Sequence, residues 1–209
     1  KRLGRYQIPS QFKKLVAADP DDPSLQQAVA EAIADAAAVP YMLERFAEVE
    51  PSFRSAAAQL EGLSNTYPHS LELRHAWARL LCNLASVSAQ TQKPAEAESA
   101  ARIALEVLDK LPTDYPSALA HQWLVVGAYN ELAMAEQSLG RVQQAEESYH
   151  KAIAALESLS EDDARSQKGR EEFGRTFMNL GFLYDHTNRP QQAQEVWRKG
   201  AAVYDQLVA

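Results

Sequence analysis

A short pattern recurs along the chain as Lys93-Pro94-Ala95-Glu96-Ala97, Arg141-Val142-Gln143-Gln144-Ala145 and Arg189-Pro190-Gln191-Gln192-Ala193, each copy 48 residues after the last. The same step carries Leu84 to Leu132 to Leu180 and Ala85 to Ala133 to Gly181. It carries Leu60 to Leu108, Leu156 and Tyr204, and Leu63 to Leu111, Leu159 and Leu207. Those two rows reach back to Phe12 and Leu15, and the step also links Pro20, Pro68 and Pro116. A fixed period held without insertion marks stacked units that bury their apolar faces against one another. No other feature restricts the fold as tightly.

Each unit reads as two helices. Leu119 to Ser138 is apolar at helical spacing through Leu119, Trp123, Val126, Tyr129 and Leu132. Gly140 supplies a stop, and Gln143 to Leu159 repeats the pattern with Ala145, Tyr149, Ala152, Ile153 and Leu156. Breakers such as Tyr67-Pro68-His69-Ser70 and Pro112-Thr113-Asp114-Tyr115-Pro116 separate the units. No stretch alternates with period two beside turn residues, so strands are not expected. Pro40 is expected to end the first helix near Val39, and Pro51 to sit at the start of the next, with an irregular stretch between Pro40 and Glu50.

These residues resemble the tetratricopeptide repeat, whose signature is Trp-x-x-Leu-Gly-x-x-Tyr, then Ala-x-x-x-Phe-x-x-Ala on a second helix. The fourth unit has Phe177, Leu180, Gly181 and Tyr184, then Ala193, Trp197 and Gly200. The third has Tyr129, Leu132, Ala133 and Glu136, then Ala145, Tyr149 and Ala152. The second has Leu81, Leu84, Ala85 and Ser88, then Ala97, Ala101 and Ala104. The first is degenerate, with Ile33, Ala36, Ala37 and Pro40, then Val49, Phe53 and Ala56. The family's usual period is about 34 residues, so the resemblance is to the long-repeat variety of large bacterial regulatory proteins, some kinase-linked, and of motor adaptors. It implies one all-α right-handed superhelix spanning 1–209. Residues 1–20 are a remnant of a preceding unit, and the repeats run near 21–68, 69–116, 117–164 and 165–209. No polar capping helix is visible after the last unit, which suggests a piece of a larger protein or an open end that meets a partner.

Composition excludes several classes. The chain of 209 residues carries a formal charge of -7, which argues against generic nucleic-acid binding. No apolar run is long enough to span a membrane, and Lys1 to Pro20 shows no leader-like apolar core, so a cytoplasmic location is expected. The single cysteine, Cys82, excludes an intrachain disulfide and reads as an inert helix-interior thiol. The histidines His69, His75, His121, His150 and His186 lack metal-site spacing; only His75 and His121 approach one register. No Gly-rich phosphate loop or catalytic-loop signature is present, so no enzyme, cofactor or metal is expected.

In the first helix of the fourth unit, Phe177, Leu180, Gly181 and Tyr184 are committed to packing. The face left over holds Arg175, Met178, Asn179, Phe182, Asp185 and His186. In the family this face of the first helices lines the concave groove. Carried back by one and two units, it brings in Asn130, Glu131 and Met134, then Arg79, Cys82 and Asn83. Asparagine is not chosen for helix interiors on propensity, and its amide both donates to and accepts from a peptide backbone. Asn83 and Asn179 share one register; Asn130 sits one residue off it, beside Glu131. The other use for such residues is to tie helix to helix. Arg79 and Arg175 suit a bidentate carboxylate or phosphate, and Met134, Met178 and Phe182 offer adaptable apolar contact or fill the core. The expected peptide site is therefore Arg79, Asn83, Asn130, Glu131, Met134, Arg175, Asn179, Phe182 and His186.

The function expected is non-catalytic protein–protein interaction, with a peptide segment or helix held in the groove. A self-assembling scaffold joined through its open ends, as a homo-oligomer, is the alternative. A sensor of a small peptide or metabolite is a third reading.

Overall fold

The computed structural model describes residues 19, 22–42 and 46–208. The expected remnant at 1–20 lies almost wholly outside them. Among the described residues nine helices run in sequence: α1 (Pro23–Met42), α2 (Phe46–Thr66), α3 (Leu71–Gln90), α4 (Pro94–Asp109), α5 (Ala118–Ser138), α6 (Val142–Glu157), α7 (Glu161–Arg165), α8 (Gln167–His186) and α9 (Pro190–Val208). No strand occurs among them. Helices α1/α2, α3/α4, α5/α6 and α8/α9 pack as antiparallel pairs, and each first helix also packs on the pair before it. The result is an all-α superhelix of stacked pairs.

Serine caps start the first helices α3, α5 and α8. Ser70 accepts from Leu73 N at 3.2 Å, Ser117 from Ala120 N at 3.1 Å and Ser166 from Gly169 N at 3.0 Å. Pro94 opens α4 and Pro190 opens α9, where a missing N–H costs nothing. In the α3/α4, α5/α6 and α8/α9 pairs the chain turns the same way between the two helices. Gln92 (φ 59°), Gly140 (φ 74°) and Asn188 (φ 60°) are left-handed. The next residue's N–H then reaches back: Lys93 to Ser88 O at 2.9 Å, Arg141 to Glu136 O at 2.9 Å and Arg189 to Tyr184 O at 2.8 Å. This is the helix stop that Gly140 announces in sequence, met by a glutamine in the second unit and an asparagine in the fourth.

Those same three residues aim their side chains at the preceding unit. Lys93 Nζ donates to Glu50 at 2.8 and 2.9 Å, and Arg189 Nη1 donates to Glu146 at 2.7 Å. Arg141 pairs with Glu98. Glu50, Glu98 and Glu146 are themselves one 48-residue row. The cations are 29–48% exposed, so each pair contributes below about 1 kcal/mol and chiefly fixes geometry.

The leucine rows are the core: Leu60, Leu108 and Leu156 are at most 1% exposed, and Leu84, Leu132 and Leu180 at most 8%. Small residues allow the pairs to close. A Cβ on Gly181 would sit 1.9 Å from Trp197 Nε1, and one on Gly200 would sit 2.8 Å from Phe177 Cβ. The buried core divides at α5: Ala128 and Leu132 join the cluster of α1 to α4, while Val126 and Ala133 join that of α6, α8 and α9.

The first unit departs from expectation. Helix α1 runs through Pro40 to Met42, and Pro51 lies inside α2 rather than at its start. Pro40 falls in the last turn, where the helix is about to finish. Pro51 is exposed and lies within two turns of the helix start, so its missing N–H removes one bond near the helix end. Of the stretch expected to be irregular, 43–45 lies outside the described residues. The acidic run Glu161-Asp162-Asp163 forms α7, a separate turn capped by Ser160. Its end presses on α8, where a Cβ on Gly169 would meet Ala164 O at 2.2 Å.

Candidate functional site

The first helices α3, α5 and α8 present one face to a common groove of about 900 Å³. Six residues of the expected site line it: Glu131 and Met134 from α5, and Arg175, Asn179, Phe182 and His186 from α8. Ser86, Gln90, Gln92 and Gln137 add uncharged polar groups to the walls, and Tyr149 closes the floor. Phe182 is 44% exposed and stacks on His186 at 6.3 Å between ring centroids. It also meets Trp197 edge-on at 5.8 Å, and Trp197 donates to Met178 O at 3.4 Å.

Three expected residues fall elsewhere. Arg79 lines a smaller cavity with Gln27, Glu31, Glu72, His75 and Tyr115. Asn83 is exposed on α3 and does not line the groove. Asn130 is fully buried, and its amide donates to Thr176 Oγ1 at 2.9 Å. It ties α5 to α8 and presents no surface to a ligand. The physical reason is its register: one residue is about 100° around a helix, enough to turn a side chain from groove to neighbouring helix. In the 48-residue step, Asn130 matches Cys82 and Met178, while Glu131 matches Asn83 and Asn179.

Arg175 is also not the open anion receptor that its position suggests. Its Nη2 donates to Glu172 at 2.6 Å, its Nε to the same oxygen at 3.1 Å, and its Nη1 to Glu131 at 3.4 Å. Glu131 is 8% exposed, and that burial raises its pKa against the lowering pull of Arg175. Two carboxylates thus share one guanidinium at the groove wall.

Two other titratable candidates, Cys82 and His75, are shifted away from their ordinary ranges. Burial pushes the Cys82 thiol up to about 12, the opposite of an activated nucleophile. Burial, with Arg79 and His121 nearby, lowers His75 to about 4. Burial lowers His121 as well. No group of three potential metal ligands occurs among the described residues, and no helix among them is long and apolar enough to cross a membrane. The feature that sequence reasoning missed is the glutamate row Glu50, Glu98 and Glu146; its signal was the same step that carries Lys93, Arg141 and Arg189.

A family model of the tetratricopeptide repeat matches residues 125–163, which cover most of α5 and all of α6. A search of curated proteins returns no match. Among solved structures, the chain resembles the crystal structure of BtubC (BKLC) from P. vanneervenii, with a TM-score of 0.55 and 19% identity. The alignment covers 95% of this chain and 87% of that one. At that identity the likeness bears on the fold, which is a tetratricopeptide-like superhelix.

Proposed function

From a chain that carries a tetratricopeptide repeat, we propose a non-catalytic interaction module of one domain, which holds an extended peptide segment in the groove of α3, α5 and α8. Tetratricopeptide repeats generally mediate protein–protein contact or scaffolding. The observation that carries the reading is the groove itself. Three successive first helices give it thioether and aromatic contacts at Met134 and Phe182, and amides at Gln90, Gln137 and Asn179. Such a lining grips a backbone by hydrogen bonds and one or two side chains by apolar contact. The test is selection from a displayed random decapeptide library on the purified chain. Peptides enriched on the wild type and lost on Asn179→Ala with Phe182→Ala support the reading; enrichment that survives the double substitution refutes it.

A second reading, self-association, rests on a different observation. Met178 is 53% exposed, whereas Asn130 at the matching position is fully buried beneath α8. Trp197 is 36% exposed, whereas its match Tyr149 is 1%. Light scattering tests it: mass that rises with concentration and falls back in Met178→Ser supports a scaffold, and constant monomer mass refutes it.

A further inference from the structure

We propose that the groove selects a peptide segment bearing a lysine or arginine, whose cationic head lodges between Glu131 and the Asn179 amide. This rests on the peptide-groove reading and adds the chemistry of its occupant.

Arg175 is the guanidinium that the groove contains, and its donors are already turned to Glu172 and Glu131. Three of its five N–H donors are taken by those two carboxylates, which leaves it a poor receptor for a third. Counting Glu131, Glu172 and Arg175 together leaves one negative charge. The side chain of Glu131 is nine-tenths buried, so solvent screens that charge weakly. Arg175 offsets it only in part, since its contact with Glu131 is 3.4 Å against 2.6 Å to Glu172. A cation delivered by a ligand meets a carboxylate in a partly desolvated wall, where charge pairing discriminates strongly between partners. A carboxylate delivered to the same place meets repulsion.

Neighbouring groups complete a receptor for a long aliphatic stem. Met134 and Phe182 line the approach and suit the methylenes of lysine or arginine. The Phe182–His186 stack offers a ring face to a guanidinium or ammonium. Gln90, Gln92, Gln137 and Asn179 supply carbonyl oxygens to the N–H groups of the cation and the backbone beside it.

The test uses the full chain and three fluorescein-labelled octapeptide pools, acetylated and amidated, with Lys, Gln or Glu fixed centrally and neutral residues elsewhere. Anisotropy should rank Lys above Glu by at least about tenfold. In Glu131→Gln that ratio should fall to about twofold or less. Glu172→Gln, at the rim of the same charge cluster, should reduce it as well, and circular dichroism confirms that each variant is folded. The groups around Glu131 are Arg175 and Glu172 on α8, Ser86 and Cys82 on α3, and Tyr149 on α6. Because Glu131 must be ionised to hold the cation, the Lys preference should fade on acidification at a higher pH than an ordinary carboxylate would impose. Equal or reversed ranking overturns the proposal, as does a Lys preference retained in both variants. No binding of any pool, or binding unaffected by Phe182→Ala, overturns the groove reading itself.

Discussion

Thr176→Val should strand Asn130 and destabilise the chain by about 1–3 kcal/mol, the cost of leaving a buried amide donor without a partner. Asn130 is fully buried, and its Oδ1 already lacks a hydrogen-bond partner, so the donation to Thr176 Oγ1 at 2.9 Å is the bond that compensates its burial. Valine keeps the shape of threonine and removes the acceptor. It also removes the hydroxyl donation to Glu172 O at 2.8 Å, but that carbonyl retains the helix ladder. For a chain of this size, 1 kcal/mol moves Tm by roughly 2–4 °C, so a drop of several degrees is expected. Asn130→Leu alone should cost less. Combining Asn130→Leu with Thr176→Val should recover most of the loss, giving a coupling of roughly 1 kcal/mol or more. Urea melts of the four proteins measure this, and peptide binding by Asn130→Leu should stay at the wild-type level. Additive melts would refute the claim that Asn130 serves the α5/α8 junction; a binding loss with a normal melt would return it to the groove.

Lys93 and Arg54 hold Glu50 down to about 2, below its ordinary 4.5. A depressed folded pKa means that the stabilisation is present above the unfolded value and lost as pH falls from about 4.5 to 2. The urea-midpoint gap between wild type and Glu50→Gln should therefore close across that window. Gly200→Ala should destabilise by about 1–3 kcal/mol because its Cβ would lie 2.8 Å from Phe177 Cβ. Gly174→Ala, with nothing within 4 Å, should stabilise by about 0.5–1 kcal/mol; thermal melts of the two should move in opposite directions. Cys82, whose thiol is pushed up to about 12, should react slowly with a thiol-titrating disulfide in the native chain and fully in denaturant; fast native reaction would contradict that shift.

The packing was legible because it repeats. Leu60, Leu108 and Leu156 advertise their burial by recurring at one step, and Gly140 states the turn that Gln92 and Asn188 also adopt. A left-handed glutamine carries no local signal of its own; only its place in the row gives it away. The groove was legible as a helix face, so Met134, Asn179, Phe182 and His186 lie where periodicity puts them. Periodicity is blind to what a charged head bonds, so Arg175 read as open when Glu172 already held it. Asn130 is covered while Asn179 lines the groove because Asn130 lies one residue, about 100° of helix face, off the row that Asn179 shares with Glu131. Pro40 and Pro51 misled because proline's penalty depends on its distance from a helix end, which composition does not give.

The pairs Lys93–Glu50, Arg141–Glu98 and Arg189–Glu146 have a consequence for how such a gene changes length. Excising residues 93–140 would join Gln92 to Arg141, and Arg141 would arrive where Lys93 had been, facing Glu50 with the same turn beneath it. Unequal crossing-over by one unit thus hands every cation a ready carboxylate, and the array can shorten or grow without inventing a contact. The Asn130–Thr176 bond obeys a different rule. In the excised chain Thr176 would face Cys82, a residue with no amide to offer. One set of pairs lets units be shuffled; the other records which unit was meant to follow which.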